Sequence, residues 1–142
     1  MRIKILCIGD VVGSPGRRAL AAELPTIVER HGISGTIVNA ENIASGSGIT
    51  PGLFEKVLKS GVDLVTLGDH IYRRKEFIPV LESSDRVVRP ANIATGAPGR
   101  EFSIFEPTGG QRVSVISLLG RLFIKKPADC PFRAADRVLA KI

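Results

Sequence analysis

Ile3-Lys4-Ile5-Leu6-Cys7-Ile8-Gly9-Asp10 decides the reading of the chain: an apolar, β-branched-rich run that breaks on a glycine and a carboxylate. The same pattern recurs downstream. Thr36-Ile37-Val38 runs into Asn39-Ala40-Glu41-Asn42, and Asp63 to Leu67 runs into Gly68-Asp69-His70. Val87-Val88 then leads to Arg89-Pro90-Ala91-Asn92. Helical signals lie between these runs. Ser14 and Pro15 read as cap and first residue of a helix carrying Leu20, Leu24, Ile27 and Val28, stopped by Gly32 and bent or split at Pro25. Thr50-Pro51 opens a second helix through Phe54, Val57 and Leu58 to Gly61, and a short third is expected from Lys75 to Leu81. Ala44 to Gly48 reads as a flexible loop. Strand–helix alternation with runs apolar on both faces predicts an α/β fold built on a largely parallel sheet covered by helices.

After Asn92 the pattern changes. Phe102 to Phe105 and Val113 to Ile116 flank Pro107-Thr108-Gly109-Gly110, which predicts a C-terminal β-hairpin. Pro131 to Ile142 reads as a helix bearing Phe132, Ala135, Val138, Leu139 and Ile142, an apolar face expected to seek a partner surface.

With 142 residues, 44% of them hydrophobic and 24% charged, the chain is expected to fold as a single domain with a real core. Residues 1–71 carry seven basic and seven acidic side chains, whereas residues 72–142 carry thirteen and seven. The net charge of +6 therefore lies entirely in the second half, which suits either an anionic partner or a solvated surface. Six Phe, one Tyr and no Trp leave little for an aromatic platform of the kind single-strand binders use. Cys7, inside its apolar run, is expected to be buried, and two distant cysteines make neither a zinc spacing nor a disulfide framework. The first apolar stretch is too short for a signal-peptide core and no stretch is long enough to span a membrane, so a reduced, cytoplasmic protein is expected.

The chemistry concentrates at strand ends. The carboxyl ends of parallel strands share one edge, where ligands bind, so Asp10, Glu41, Asn42, Asp69, His70 and Asn92 are expected to converge there. Three carboxylates in one cleft repel unless a cation or shared protons neutralise them, and oxygen donors with an imidazole suit Mg²⁺, Mn²⁺ or Fe. Asp and Asn also form turns, but Glu41 has no such role. His31, at a helix end, reads as a dipole-friendly cation. The glycine-rich Gly9–Gly16 and Gly46-Ser47-Gly48 match no nucleotide fingerprint, yet offer backbone that can approach a phosphate.

Gly9-Asp10-Val11-Val12-Gly13-Ser14-Pro15-Gly16, Asn39-Ala40-Glu41-Asn42, Gly68-Asp69-His70, Arg89-Pro90-Ala91-Asn92 and Leu119-Gly120-Arg121 together resemble the bacterial YmdB family of metallophosphoesterases. The resemblance implies half of a calcineurin-like metallophosphoesterase sandwich and a phosphodiesterase acting on 2′,3′-cyclic nucleotides. It implies two divalent transition metals, iron or manganese, in the complete site. Asp10 and Asn42 would hold one metal, Glu41 would bridge both, Asp69 would bind the second, and His70 would donate a proton to the leaving oxygen. Asn92 would contact substrate. Where the family has Asn before the catalytic histidine, this chain has Asp69, which adds negative charge. The family's other metal-binding histidines belong to a C-terminal half, whereas this chain has only His31 and His70. The chain therefore reads as one incomplete domain, residues 1–142, that is a poor catalyst until joined by a complementing half or a second copy. A non-catalytic phosphate- or RNA-binding module is the alternative; metal titration against activity and against RNA binding separates the two.

Overall fold

The computed structural model describes residues 2–142. Four strands, β1 (Ile5–Ile8), β2 (Gly35–Asn39), β3 (Leu64–Thr66) and β4 (Val87–Val88), pair in parallel in the order β1-β2-β3-β4. Isolated bridges from Val88 to Arg100 and from Pro90 to Ser117 tie the following chain to the β4 side. The hairpin is antiparallel as expected, β5 (Phe102–Phe105) against β6 (Val113–Ile116).

Side-chain alternation divides the sheet into two faces. Val38, Val65 and Val87 point to one face and are buried with Leu20 and Leu24 of α1 (Gly13–His31) and with Phe54 and Val57 of α2 (Pro51–Lys59). Phe54 meets Phe77 edge-on at 5.5 Å. Phe77 closes a 3₁₀ turn, Lys75–Phe77, that leads into α3 (Ile78–Ser83), where Leu81 joins the same core. Ile37, Leu64 and Val88 point to the other face, where Phe105, Val113 and Val115 of the hairpin cover them. Helices thus cover one face and the hairpin the other. The hairpin also presses on β2, because a Cβ at Gly35 would lie 2.8 Å from the Phe105 ring.

That division corrects the expectation for Cys7. It pairs with Ile37 and so faces the hairpin side, but β1 is the edge strand and Cys7 is exposed. The helix starts also differ. Thr50 caps α2 through its Oγ1 with Pro51 first, as expected, whereas α1 begins at Gly13 with no side-chain cap. The Gly13 N–H donates to the Asn42 carbonyl at 3.1 Å, so a tertiary bond sets the entry that Ser14 was expected to cap. Pro25 does not split α1: both it and Ala21, whose carbonyl it frees, are exposed to solvent. Gly32 ends the helix in the left-handed region at φ 58°, as its position predicts. The last helix, α4 (Pro131–Leu139), buries Ala134 and Val138 within this chain, so Val138 does not belong to the outward face. Phe132, Leu139 and Ile142 remain outside.

Candidate functional site

Three connections converge at the carboxyl edge of β1, β2 and β3. Asp10 follows β1 with φ 42°, a left-handed backbone unusual for a residue with a side chain. Strain of this kind persists only where surrounding contacts hold it. The Val11 N–H donates to the Asn39 carbonyl at 3.1 Å and so ties this turn to β2. Asn42 is pinned harder, because its carbonyl accepts from Gly13 at 3.1 Å and Gly46 at 2.9 Å. Gly48 donates in turn to the Glu41 carbonyl. The glycine-rich segments expected to approach a phosphate thus commit three amides to holding Glu41 and Asn42. The 44–48 stretch, expected to be flexible, is closed by its own turn bonds.

The side chains form a chain of hydrogen bonds. Asp10 as a carboxylate only accepts, so the Asn42 Nδ2 donates to Asp10 Oδ1 at 2.7 Å. That turns Asn42 Oδ1 toward His70 Nδ1 at 2.5 Å, and the imidazole must donate there. His70 therefore carries a proton on Nδ1, leaving Nε2 as the atom that can gain and release one. The His70 backbone N–H donates to Glu41 Oε2 at 3.1 Å, and Nε2 stands 3.8 Å from Asp69 Oδ2. Glu41 also explains Gly68, since a Cβ there would collide with both carboxylate oxygens, Oε1 and Oε2. Sequence reading placed Gly68 in a motif without seeing that it cradles a carboxylate. The clue was available: a glycine directly before the paired Asp69 and His70.

The five residues Asp10, Glu41, Asn42, Asp69 and His70 thus meet as expected. By type their hard oxygens and one imidazole fit a divalent cation. By number they fall short, because among the described residues no three His, Cys, Asp or Glu side chains converge closely enough to hold a metal. Asn92 stands apart and corrects the expectation of a substrate contact. It is fully buried, its Nδ2 donates to the carbonyls of Leu119 and Asp129 at 2.8 and 3.0 Å, and its Oδ1 accepts from Leu119 at 2.8 Å. It staples a returning loop.

A family model described as YmdB-like protein matches residues 6–142. The chain belongs to the YmdB-like family. It is similar to the 2′,3′-cyclic-nucleotide 2′-phosphodiesterase of Bacillus subtilis strain 168, with 37% identity over 139 residues that cover 98% of this chain and 52% of that protein. Among solved structures it resembles a hypothetical protein from Thermus thermophilus, with TM-score 0.88 and 41% identity over 97% of this chain and 53% of that one. A structure described as a novel phosphatase of Mycoplasma pneumoniae gives TM-score 0.88 at 27% identity, covering 98% and 51%. The chain spans about half the length of these relatives.

Proposed function

We propose that the chain provides part of a metal-dependent phosphodiesterase centre for 2′,3′-cyclic nucleotides, its remaining donors coming from polypeptide equivalent to the relatives' other half. The observation that carries this reading is the run Asp10–Asn42–His70–Glu41, joined by hydrogen bonds from three separate connections. Asp10, Glu41, Asn42 and Asp69 are the residues that would hold divalent metal, two ions of iron or manganese in the complete centre. When bound, such ions neutralise phosphate charge and activate water as Lewis acids. His70 acts from its Nε2, giving a proton to the oxygen that leaves phosphorus. Asn42 keeps the imidazole aimed and its Nδ1 protonated, and Asp10 holds Asn42 in that orientation.

An apolar groove of about 330 Å³ supports the need for further polypeptide. Leu6, Ile8, Leu20, Leu24 and Ile27 line it between edge strand β1 and α1, and it opens beside Asp10. Whatever seats there reaches the site. We assign it to the segment equivalent to the relatives' other half.

Hydrolysis of 2′,3′-cyclic AMP is measured for the 142-residue chain alone and with that half supplied from a relative, beside calorimetry with Mn²⁺ and Fe²⁺. Weak metal binding and poor turnover alone, restored on complementation, are expected. Full activity of the purified chain alone would overturn the shared-centre reading. An inactive but assembled complex would overturn the phosphodiesterase.

A further inference from the structure

A loop beside the site carries more positive charge than a single nucleotide can use. Residues 119–129 leave and return at Asn92, which bonds Leu119 through both its amide groups, bonds the Asp129 carbonyl, and accepts the Asp129 N–H at its own carbonyl. The loop starts close to the site edge, because Ser117 Oγ donates to the carbonyl of Leu67, directly before Gly68. Within it Arg121, Lys125 and Lys126 line a cavity of about 380 Å³. Lys126 Nζ lies 5.7 Å from the centre of the Tyr72 ring, and Tyr72 follows shortly after His70. Beyond Tyr72, the exposed Arg73, Arg74 and Lys75 continue the line, with Arg74 packed over Gly48 next to the Glu41–Asn42 turn. Among the described residues none of these six cations has a carboxylate within 4.0 Å, whereas Arg89, Arg137 and Lys141 are all paired to Glu101. Phe123, at φ 61°, is fully exposed between the loop's cations.

We propose that loop 119–129 and the 73–75 turn form a track for the backbone of single-stranded RNA ending at His70, so that the substrate is the 2′,3′-cyclic end of an RNA strand. The proposal rests on the phosphodiesterase reading and narrows it. A cyclic mononucleotide has one phosphate, which that reading engages at the strand-end cluster; six further cations match the phosphates of a chain. The binding is mainly electrostatic, with one ring, Phe123, to stack on a base. RNA rather than DNA follows from the cyclic end, which needs a 2′-hydroxyl. The reaction class that supplies such an end is strand scission in which the 2′-oxygen attacks the adjacent phosphorus, forming the cyclic O2′–P bond, breaking the P–O5′ bond and releasing the downstream strand with a 5′-hydroxyl.

Fluorescence anisotropy of the full chain with a short labelled single-stranded RNA bearing a 2′,3′-cyclic end, across a salt series, tests this without requiring turnover. The RNA should bind at least about tenfold more tightly than 2′,3′-cyclic AMP competes. Combined Arg121→Ala, Lys125→Ala and Lys126→Ala should flatten the log–log salt slope by about 2. Phe123→Ala should weaken binding about fivefold or more. Arg121→Lys combined with Lys125→Arg and Lys126→Arg should keep the slope, which separates lost charge from a misfolded loop. Lys56→Ala with Lys59→Ala, on α2, should leave it unchanged. RNA binding no tighter than the mononucleotide, equal losses from the α2 variant, or loop-dependent capture of phosphatidylserine vesicles without RNA would each overturn the proposal. Loop-dependent RNA binding with no hydrolysis by the complemented protein would instead overturn the phosphodiesterase reading alone.

Discussion

Glu101 and the strand-end carboxylates are the two acidic centres of this molecule, and they are satisfied in opposite ways. Glu101 receives Arg137 Nη1 at 2.8 and 2.7 Å on its two oxygens, Lys141 Nζ at 3.1 Å and Arg89 Nη2 at 3.4 Å. Hydrogen bonding from Arg137, against the opposing effect of burial, leads the forces that hold its carboxyl at about 2. Arg137 also donates to the Ala91 carbonyl, so the cluster fastens α4 across the β4–β5 connection. At the site edge Asp10 receives a neutral amide, Glu41 a backbone N–H, and Asp69 only a distant imidazole. Among the described residues no Lys or Arg lies within 4.0 Å of these three carboxylates. The first arrangement serves folding because three cations from separate segments saturate one carboxylate. The second leaves negative charge exposed to whatever cation reaches it, the expected condition of a site rather than a strut.

The largest expected effects lie at the site edge. In the complemented enzyme His70→Ala should lower kcat by about 10²–10⁴ while metal content, read by elemental analysis, stays near the parent value. Unchanged turnover would remove His70 as the acid. Gly68→Ala should cost about 10² in kcat/KM, because the new Cβ displaces the Glu41 carboxylate from its cradle. Denaturant unfolding should show the fold largely intact for His70→Ala, since its side chain belongs to the site cluster rather than the core.

The strut should respond the other way. Glu101→Gln should cost about 1–2 kcal/mol of stability, discounted because Arg137 and Lys141 are 40% and 51% exposed. Its pH dependence has a definite sign. The carboxyl is lowered from 4.5 to about 2 on folding, so its contribution is full above pH 4.5 and lost as pH falls toward 2. Thermal melts of Glu101→Gln should therefore lose part of the parent's acid sensitivity in that window. A variant as acid-sensitive as the parent would show that Glu101 does not fasten α4.

Much of the site edge was legible because strand ends advertise themselves. An apolar run that stops on Gly-Asp or Glu-Asn has one geometry in a parallel sheet, so Asp10, Glu41, Asn42, Asp69 and His70 could be placed together from periodicity alone. What failed depended on contacts between distant segments. Apolar runs state that strands are buried but not how far a hairpin extends across them, and so Cys7 was misplaced. Asn92 looked like the other strand-end residues, and only the return of loop 119–129 shows its amide committed to Leu119 and Asp129. Val138 was read with Leu139 because both are apolar, whereas adjacent helical positions point about 100° apart and only Val138 turns inward.

The smallest effect is the most discriminating for the comparison. Asp69 is 34% exposed on its side chain, and its nearest charge-bearing group is the imidazole at 3.8 Å. If the strand-end carboxylates are truly unbalanced, Asp69→Asn relieves repulsion from Asp10 and Glu41 while retaining shape and one oxygen donor. The chain should then gain a few tenths of a kcal/mol, read as a rise in the denaturation midpoint with unchanged m-value. The gain should shrink as salt is raised, because partly exposed charges are screened over about 10 Å at 0.1 M. A loss of more than about 1 kcal/mol would mean that the Asp69 carboxylate already holds a stabilising partner within the chain, as Glu101 does. The site edge would then be a second strut, with no unbalanced charge to draw a cation.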